Sequence, residues 1–534
     1  MGAPWWQTAV IYQIYPRSFA DTTGDGIGDL EGIRRRLDHL AWLGVDAIWL
    51  SPFFPSPMAD FGYDVADHCD VDPVFGTLGD FDRLLADAHE RDIKVVIDWV
   101  PNHTSDQHPW FVESRSARDA PKRGWYVWRD GTPDTPPNGW RAAFTGESTW
   151  VRDDDGQLRP RLLDDPVGIE ASAWTWDDAT EQWYLHLFLP EQPDLEWRNP
   201  EVVAAMHDTL RFWLDRGVDG FRADVVHAIG KDPDAGPDAA ASGLTSPESD
   251  TSEWEQTHEI LRGLRTLLDS YDGDRMMVGE VFLLDTAKVA RYYGDGDELH
   301  LCFNFPPLFT RWAAPRWRGR ILDVEEHMGS VGGWPTWVLS NHDNPRHRSR
   351  YGTEARARAA AVLLLGLRGT TFLYAGEELG LEDAEVPPDR VVDPGGRDGC
   401  RAPIPWDRDG LHGWAAEPWL PWPPDAADHS LEALLADAAS MPHLYRRLLA
   451  ARRSSPALQL GSIELVDAPD GVLAWHRRHG DDERLVVVSF TAAPVDLDLG
   501  GAWVIEVASD GAGEGGRWAG TLAPDQAVVL HHPE

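Results

Sequence analysis

Cysteine is scarce in this sequence, and long apolar runs are missing from it. Its three cysteines, Cys69, Cys302 and Cys400, lie far apart and show no metal-binding spacing. An odd and widely spaced set favours free thiols over a disulfide framework. No stretch approaches the roughly 20 apolar residues of a membrane span, and the opening MGAPWWQTAV lacks the basic segment of a secretion signal. We therefore expect a cytoplasmic protein without a membrane partner.

Basic residues are also in short supply. The chain has 48 Lys and Arg residues against 89 Asp and Glu residues, a net charge of −41. Such a surface repels phosphate groups, which argues against a nucleic-acid or acidic-membrane partner. Tryptophan, in contrast, is abundant, with 27 residues. Most of these rings should pack in cores, although flat apolar rings also stack on sugars.

Strand-like and helix-like segments alternate through most of the chain. Runs such as VIYQIY (10–15) and IKVVIDWV (93–100) are separated by segments with helical periodicity, and eight such runs occur before residue 380. This alternation predicts an α/β fold with a parallel sheet, and eight strands fit a closed (β/α)8 barrel.

Two regions depart from that rhythm. From residue 104 to about 198 the chain is rich in Trp, Pro, Gly and Asp without a clean helix, which is typical of a small subdomain or a functional lid. After about residue 455 short apolar runs are divided by Gly, Asp and Pro, which predicts an antiparallel β-sandwich.

Charged and polar residues recur at the predicted strand ends, where barrels of this type carry their active sites. Asp60 and Tyr63 follow strand two, Asp98, Asn102 and His103 end strand three, Arg222 and Asp224 end strand four, Glu280 ends strand five, and His342, Asp343 and Arg346 end strand seven. Any one motif alone could be a buried ion pair or a helix cap. The whole set, in order at successive strand ends, favours a single site.

Two of these carboxylates suit the cleavage of a glycosidic bond, which needs one ionised and one protonated carboxyl group. Asp224 stands two residues from Arg222, and a neighbouring cation lowers a carboxyl pKa. Glu280 follows the apolar MMVG, and apolar surroundings favour a protonated acid. These patterns indicate Asp224 as nucleophile and Glu280 as general acid.

The motifs DWVPNHTS, GFRADVVH, VGEVF and SNHDNPR resemble those of glycoside hydrolase family 13, the α-amylase clan. QPDLEWRNPEV (192–202), YQIYPRSFADTTGDGIGDL and RDGCRAPIPW resemble its α-glucosidase and oligo-1,6-glucosidase branch. The resemblance covers nearly the whole chain. It implies a barrel at residues 1–103 and 175–454, an inserted domain B at 104–174 after strand three, and a C-terminal β domain at 455–534.

The resemblance also implies roles for individual residues. Asp224 would be the nucleophile, Glu280 the acid/base and Asp343 a third acid. His103 and His342 would hydrogen-bond to the bound glucose, with Tyr63 as its stacking platform, and Asp60 and Arg401 would pair to close the pocket beyond it. The implied enzyme is a retaining, exo-acting α-glucosidase of maltose-like or isomaltose-like oligosaccharides that needs no cofactor for its chemistry.

A further loop, DTTGDGIGD, predicts a structural metal site. Asp21, Asp25 and Asp29 are spaced as oxygen ligands of a hard cation, with Thr23 and Ile27 between them. Related enzymes bind calcium or magnesium here, usually with Asn at the place of Thr23. The alternative is a solvated acidic turn.

Other functions stay open at this stage. The same scaffold serves transglucosylases and isomerases of the sucrose isomerase or trehalose synthase type, which pass glucose to a sugar instead of to water. A non-catalytic sugar-binding or transporter-partner module is a remoter alternative. By resemblance, a valine directly after the nucleophile, as at Val225, favours α-1,6 linkages. Glu196, however, stands where that branch usually has Asn, which leaves the linkage preference open. The sequence leaves open whether the protein is a monomer or a homo-oligomer.

Overall fold

The computed structural model describes residues 2–143, 150–152, 158–160, 172–234, 255–393 and 395–533. The strands, in chain order, are β1 Val10–Ile14, β2 Ala47–Leu50, β3 Lys94–Trp99, β4 Trp128–Asp130, β5 Trp150–Arg152, β6 Leu158–Pro160, β7 Trp174–Asp177, β8 Gln182–Leu185, β9 Gly220–Ala223, β10 Met276–Gly279, β11 Leu301–Cys302, β12 Thr336–Val338, β13 Thr370–Tyr374, β14 Ser462–Val466, β15 Val472–His479, β16 Asp482–Ser489, β17 Val495–Asp496, β18 Val504–Ala508, β19 Thr521–Leu522 and β20 Ala527–His531.

The helices alternate with these strands. They are α1 Trp5–Thr8, α2 Leu30–Arg35, α3 Leu37–Leu43, α4 Leu78–His89, α5 Pro109–Ser116, α6 Pro200–Arg216, α7 Glu255–Asp269, α8 Thr286–Arg291, α9 Ala314–Ser330, α10 His347–Tyr351, α11 Glu354–Gly366, α12 Leu431–Leu435, α13 Met441–Ser454 and α14 Pro456–Leu460. No described helix is long and apolar enough to cross a membrane.

Eight strands form one parallel sheet in the order β11–β10–β9–β3–β2–β1–β13–β12. At its seam, the Thr336 hydroxyl of β12 donates to the Cys302 carbonyl of β11 at 2.6 Å and accepts from the Asn304 amide at 3.2 Å. These bonds bring the two edge strands together and nearly close the sheet. The predicted (β/α)8 barrel is confirmed.

Residues at alternate positions of the strands fill the barrel interior, while their neighbours face the helices. Trp49, Val96 and Val278 lie inside, whereas Ile48 and Val95 pack outward into the main core. Strands buried on both faces read as continuous apolar runs, and this explains the pattern found in the sequence.

Helix α4 shows how the sequence positions an outer helix. Thr77 caps its first turn by accepting the Asp80 amide, and Asp80 reaches back to the Thr77 amide. Phe81, Leu84, Leu85 and Ala88 then form the buried stripe that the sequence predicts.

The chain between β3 and α6 forms a small antiparallel sheet with the order β4–β8–β7, and β5 pairs with β6. Domain B was predicted to end at residue 174, but β7 begins there and the sheet continues to Leu185 because β8 pairs with β4. Residues 144–149, 153–157 and 161–171 of the predicted domain lie outside the described residues.

The C-terminal strands form an antiparallel sheet in the order β14–β15–β16–β20–β18, and β17 pairs with β19. One face, with Trp475 and Val486, packs on the barrel side, and the Trp475 indole donates to the Gly366 carbonyl at the end of α11 at 3.1 Å. The other face, with Ala474 and Val487, builds a separate core. The antiparallel C-terminal domain is therefore confirmed, with its first strand at Ser462.

Candidate active site

The register of the barrel places the two predicted catalytic carboxylates side by side. Ala223 at the end of β9 is the register partner of Gly279 at the end of β10. Asp224 and Glu280 directly follow these partners, and the Glu280 amide donates to the Ala223 carbonyl at 2.8 Å. Both side chains therefore leave the same edge of the barrel.

A single guanidinium joins them. Arg222 lies two residues before Asp224 on β9, opposite Asp98 on β3. Its Nη1 is 2.9 Å from Asp98 Oδ1 and 2.5 Å from Asp224 Oδ1, and its Nη2 is 2.5 Å from Glu280 Oε2. We call these four residues the Arg222 cluster. Buried charges of this kind need partners, and this explains why a barrel strand carries an arginine and a carboxylate on one face.

The electrostatics of the Arg222 cluster differ from the sequence-based expectation. Burial raises the pKa of Asp224 well above its usual value; Arg222 opposes this shift, whereas Glu280 and Asp98 add to it. Burial likewise raises the pKa of Asp98 to about 6. The prediction of a lowered Asp224 pKa is therefore wrong, because burial outweighs Arg222, whose single guanidinium is also shared with two other carboxyl groups.

The surroundings of Glu280 are also less apolar than expected. Besides its contact with Arg222, Oε2 accepts the Val225 amide at 3.0 Å. Val225 has a φ of 35°, in the left-handed region that β-branched residues rarely adopt. This strained residue turns its amide toward Glu280, a type of strain that collects at functional sites.

His342 and Tyr63 lie on the other side of Asp98. The Tyr63 hydroxyl is 3.1 Å from Asp98 Oδ2 and 2.6 Å from His342 Nε2. The two rings are nearly parallel, with centroids 5.3 Å apart. Burial lowers the pKa of His342 to about 3, so its imidazole is neutral near pH 7.

His103 belongs to the same wall of the site. Its Nε2 is 3.2 Å from the Tyr63 carbonyl and 3.1 Å from the Gln192 side-chain nitrogen, which also contacts Asp60. Burial and the nearby Lys231 lower its pKa to about 3. Both histidines can therefore exchange neutral hydrogen bonds with a ligand.

Asp343, the predicted third acid, is held by two arginines. Its Oδ1 is 2.9 Å from Arg397 Nη1 and 3.1 Å from Arg401 Nη2. Burial alone would raise the Asp343 pKa, but His342, Arg397 and Arg401 outweigh it and hold that pKa well below its usual range. Asp343 is therefore ionised at neutral pH.

The predicted pair of Asp60 and Arg401 needs a correction. Asp60 Oδ1 is 2.6 Å from Arg397 Nη2, whereas Arg401 contacts Asp343 and Asp393. Arg397 stands one helical turn before Arg401 in the same RDGCRAPIPW motif. The sequence offered no spacing that separates the two, since both can face the same side of that turn. Burial raises the pKa of Asp60 to about 6, although Arg397 opposes the shift.

Gln192 and Asp393 were not predicted as site residues, and Asp98 was placed among the strand-end residues of the site without a role of its own. Asp98 stands in the quoted DWVPNHTS motif and Gln192 opens QPDLEWRNPEV, so the motifs contained the signal for both. Asp393 lies in a loop without a motif, and only its contacts with Arg397 and Arg401 reveal it.

The acidic loop of the predicted metal site is held by its own backbone. Asp21 accepts the amides of Thr23, Gly24 and Gly26, and Asp29 accepts those of Thr22 and Gly32. Asp25 is exposed and accepts the Ile27 amide at 2.9 Å. Over the described ranges, no group of three or more His, Cys, Asp or Glu side chains is arranged to hold a metal. The oxygen atoms of this loop, as they are arranged, give no support for bound calcium or magnesium. The structural metal site stays a prediction.

A parallel barrel with clustered carboxylates at its carboxyl edge is an arrangement that suits enzymes acting on glycosidic bonds. The alpha-amylase catalytic-domain family matches residues 13–461, so the chain belongs to that family. It is 42% identical over 514 residues to a probable alpha-glucosidase of Rhizobium meliloti, covering 90% of this chain and 88% of that protein. It is 35% identical over 535 residues to an oligo-1,6-glucosidase of Parageobacillus thermoglucosidasius, covering 91% of this chain and 90% of that protein.

A solved structure agrees with this assignment. The alpha-glucosyl transfer enzyme XgtA is 40% identical, with a TM-score of 0.86 and full coverage of both chains. The chain is therefore a glycoside hydrolase of the alpha-amylase family, in the branch of the α-glucosidases. This finding argues against a non-catalytic sugar-binding or transporter-partner module.

Proposed function

We propose that the chain is a retaining, exo-acting α-glucosidase. It removes terminal, non-reducing α-linked glucose, joined by α-1,4 or α-1,6 bonds, from short oligosaccharides. The observation that carries this proposal is the shared guanidinium of Arg222, which touches both Asp224 and Glu280. Retaining enzymes need their two carboxyl groups close together, at about 5–5.5 Å.

In this mechanism Asp224 attacks the anomeric carbon and Glu280 gives its proton to the leaving oxygen. A covalent β-glucosyl-enzyme forms, and Glu280 then takes a proton from the water that releases α-glucose. Arg222 favours the ionised form of Asp224 during attack, against the effect of burial. Asp343, ionised between two arginines, accepts hydrogen bonds from sugar hydroxyls and supports the positive charge of the transition state.

The exo character is supported by the buried pair of Asp60 and Arg397. Arg397 spans from Asp60 to Asp343. In the proposed complex these charged side chains lie beyond the terminal glucose. A chain end fits against such a wall, whereas a continuing chain would have to displace a buried ion pair.

The test is a hydrolysis panel of maltose, isomaltose, sucrose, trehalose and nitrophenyl α-glucoside, with the first glucose anomer read by NMR. We expect α-glucose first, from at least one α-linked disaccharide. Glu280→Gln should lose most activity on the disaccharides but keep part of it on nitrophenyl glucoside, whose leaving group needs no proton. β-Glucose as the first product, or a fully active Glu280→Gln variant, contradicts the mechanism.

Transfer of glucose to a sugar acceptor is the second candidate, and the 40% identity to a glucosyl transfer enzyme favours it. Both reactions share the same glucosyl-enzyme and differ in whether water or a sugar accepts the glucose. Product analysis at low maltose concentration separates them, since a hydrolase gives glucose there. Larger or isomerised sugars as the main products would replace hydrolysis by transfer or isomerisation.

A further inference from the structure

Two arginines of the site are anchored by an acid that the sequence did not indicate. Asp393 is fully buried, and its Oδ2 accepts the Arg397 backbone amide at 2.6 Å and Arg397 Nε at 2.9 Å. Its Oδ1 lies 2.6 Å from Arg397 Nη2 and 3.3 Å from Arg401 Nη1. We call Asp60, Asp343, Asp393, Arg397 and Arg401 the paired-arginine cluster.

The contacts with Asp393 fix the orientation of the Arg397 side chain. An arginine side chain has many rotamers, and a contact along its Nε edge removes most of them. With Nε and the backbone amide bound to Asp393, Nη1 reaches Asp343 and Nη2 reaches Asp60. Without Asp393, only the contacts of the two terminal nitrogens with Asp60 and Asp343 would hold the side chain, and its Nε edge would lose its partner.

Asp393 is itself held in place. The amides of Val392 and Asp393 both donate to Asp398 Oδ2, at 2.8 and 3.2 Å. Burial raises the Asp393 pKa, but Arg401 and Arg397 outweigh it and lower that pKa to about 2. Asp393 therefore stays charged over the pH range in which such an enzyme works.

We propose that Asp393 is the positioning residue for the exo selectivity of this enzyme: it fixes Arg397 as the bridge between Asp60 and Asp343. This inference rests on the proposed exo-glucosidase function. Asp393 does not touch the glucose; it acts through Arg397, which forms the wall behind the terminal sugar.

The test compares Asp393→Asn with the parent on two nitrophenyl oligosaccharides of the linkage that the parent cleaves. One has a free non-reducing end, and the other carries an ethylidene block there. Asn keeps the size of the side chain but loses the charge that holds Arg397. We expect the ratio of kcat/KM on the free to the blocked substrate to fall at least tenfold. On nitrophenyl glucoside KM should rise about tenfold, while kcat changes less than threefold.

A double-mutant cycle separates positioning from a general structural role. In an Arg397→Ala background, Asp393→Asn should change the selectivity ratio less than twofold, because the residue it acts through is gone. The matched control is Asp383→Asn, a half-buried acid ten residues earlier that accepts the Arg346 amide at 2.9 Å instead. This control should leave the ratio unchanged.

Each outcome decides the proposal. An unchanged ratio in Asp393→Asn, or an equal loss in the Arg397→Ala background, overturns it. If Asp393→Asn does not fold, Arg397→Lys must give the same loss of selectivity, since lysine keeps the charge but not the two-pronged contact. An Arg397→Lys variant that keeps the parent's ratio of kcat/KM on the free to the blocked substrate overturns the proposal. A parent that cleaves free and blocked substrates equally refutes the exo function itself, before any variant is compared.

Discussion

Replacement of Arg222 by lysine is the most direct test of the Arg222 cluster. Lysine keeps the positive charge, but its ammonium cannot contact Asp98, Asp224 and Glu280 in the way that the planar guanidinium does. At least one of the two contacts to Asp224 and Glu280 is then lost. Hydrogen bonds to charged groups contribute about 1.5–3 kcal/mol each.

These values give the size of the expected effect. Since about 1.4 kcal/mol corresponds to a factor of ten, the loss of one or both contacts lowers kcat/KM about 10- to 10⁴-fold. The assay is kcat/KM on nitrophenyl α-glucoside, together with a thermal melt to establish that the variant is folded.

The matched control is Arg477→Lys in the C-terminal domain. Arg477 is as buried as Arg222, but it donates to the carbonyls of Gly366, Gly461 and Ser462, far along the chain from the site. This variant should lose stability while keeping the kcat of the folded enzyme. A folded Arg222→Lys variant within threefold of the parent would refute the role assigned to the guanidinium.

Three further predictions concern stability and geometry. Burial raises the pKa of Glu377 to about 8; its folded pKa thus exceeds the unfolded one, so stability falls as pH rises from about 4.5 to 8. Urea unfolding should show Glu377→Gln gaining stability over the parent at pH 8 but not at pH 4.5, and equal gains at both contradict this. If the acidic loop binds calcium, EDTA lowers Tm by several degrees in the parent and not in Asp25→Asn; an unchanged parental Tm argues for a solvated turn. Val225→Gly should keep or raise Tm but lower kcat at least fivefold, because glycine relaxes the strained turn that aims an amide at Glu280; an unchanged kcat removes that role.

Much of the fold could be predicted because local pattern and tertiary structure agree. The buried stripe of α4 and the eight apolar runs each report a face that must be covered. The extent of the inserted sheet was harder to place, because the pairing of β8 with β4 joins segments about 50 residues apart. Such non-local pairing leaves little trace in the local sequence.

In the site, too, some features could be predicted from local sequence and others depend on contacts between distant segments. The motifs named Asp224, Glu280 and Asp343, since chemistry requires those residue types at strand ends. They did not separate Arg397 from Arg401, because this choice depends on side-chain direction within one turn. The pKa of Asp224 also could not be predicted from its neighbour Arg222 alone, since it depends on burial in the folded barrel and on Asp98, which shares the same guanidinium from another strand.

The two clusters of the site differ in their balance of charge, and this difference affects which of their carboxyl groups are ionised. The Arg222 cluster has three carboxyl groups and one guanidinium, whereas the paired-arginine cluster has three carboxyl groups and two. Like charges packed around one cation cannot all ionise, so the first cluster as a whole favours keeping a proton, as the raised pKa values of Asp98 and Asp224 indicate. The second cluster keeps Asp343 charged. Support of a cationic transition state needs a fixed negative charge, which the two arginines beside Asp343 maintain. The nucleophilic role proposed for Asp224 needs that carboxyl group to lose its proton, and Arg222 is the group of its cluster that favours this ionised form.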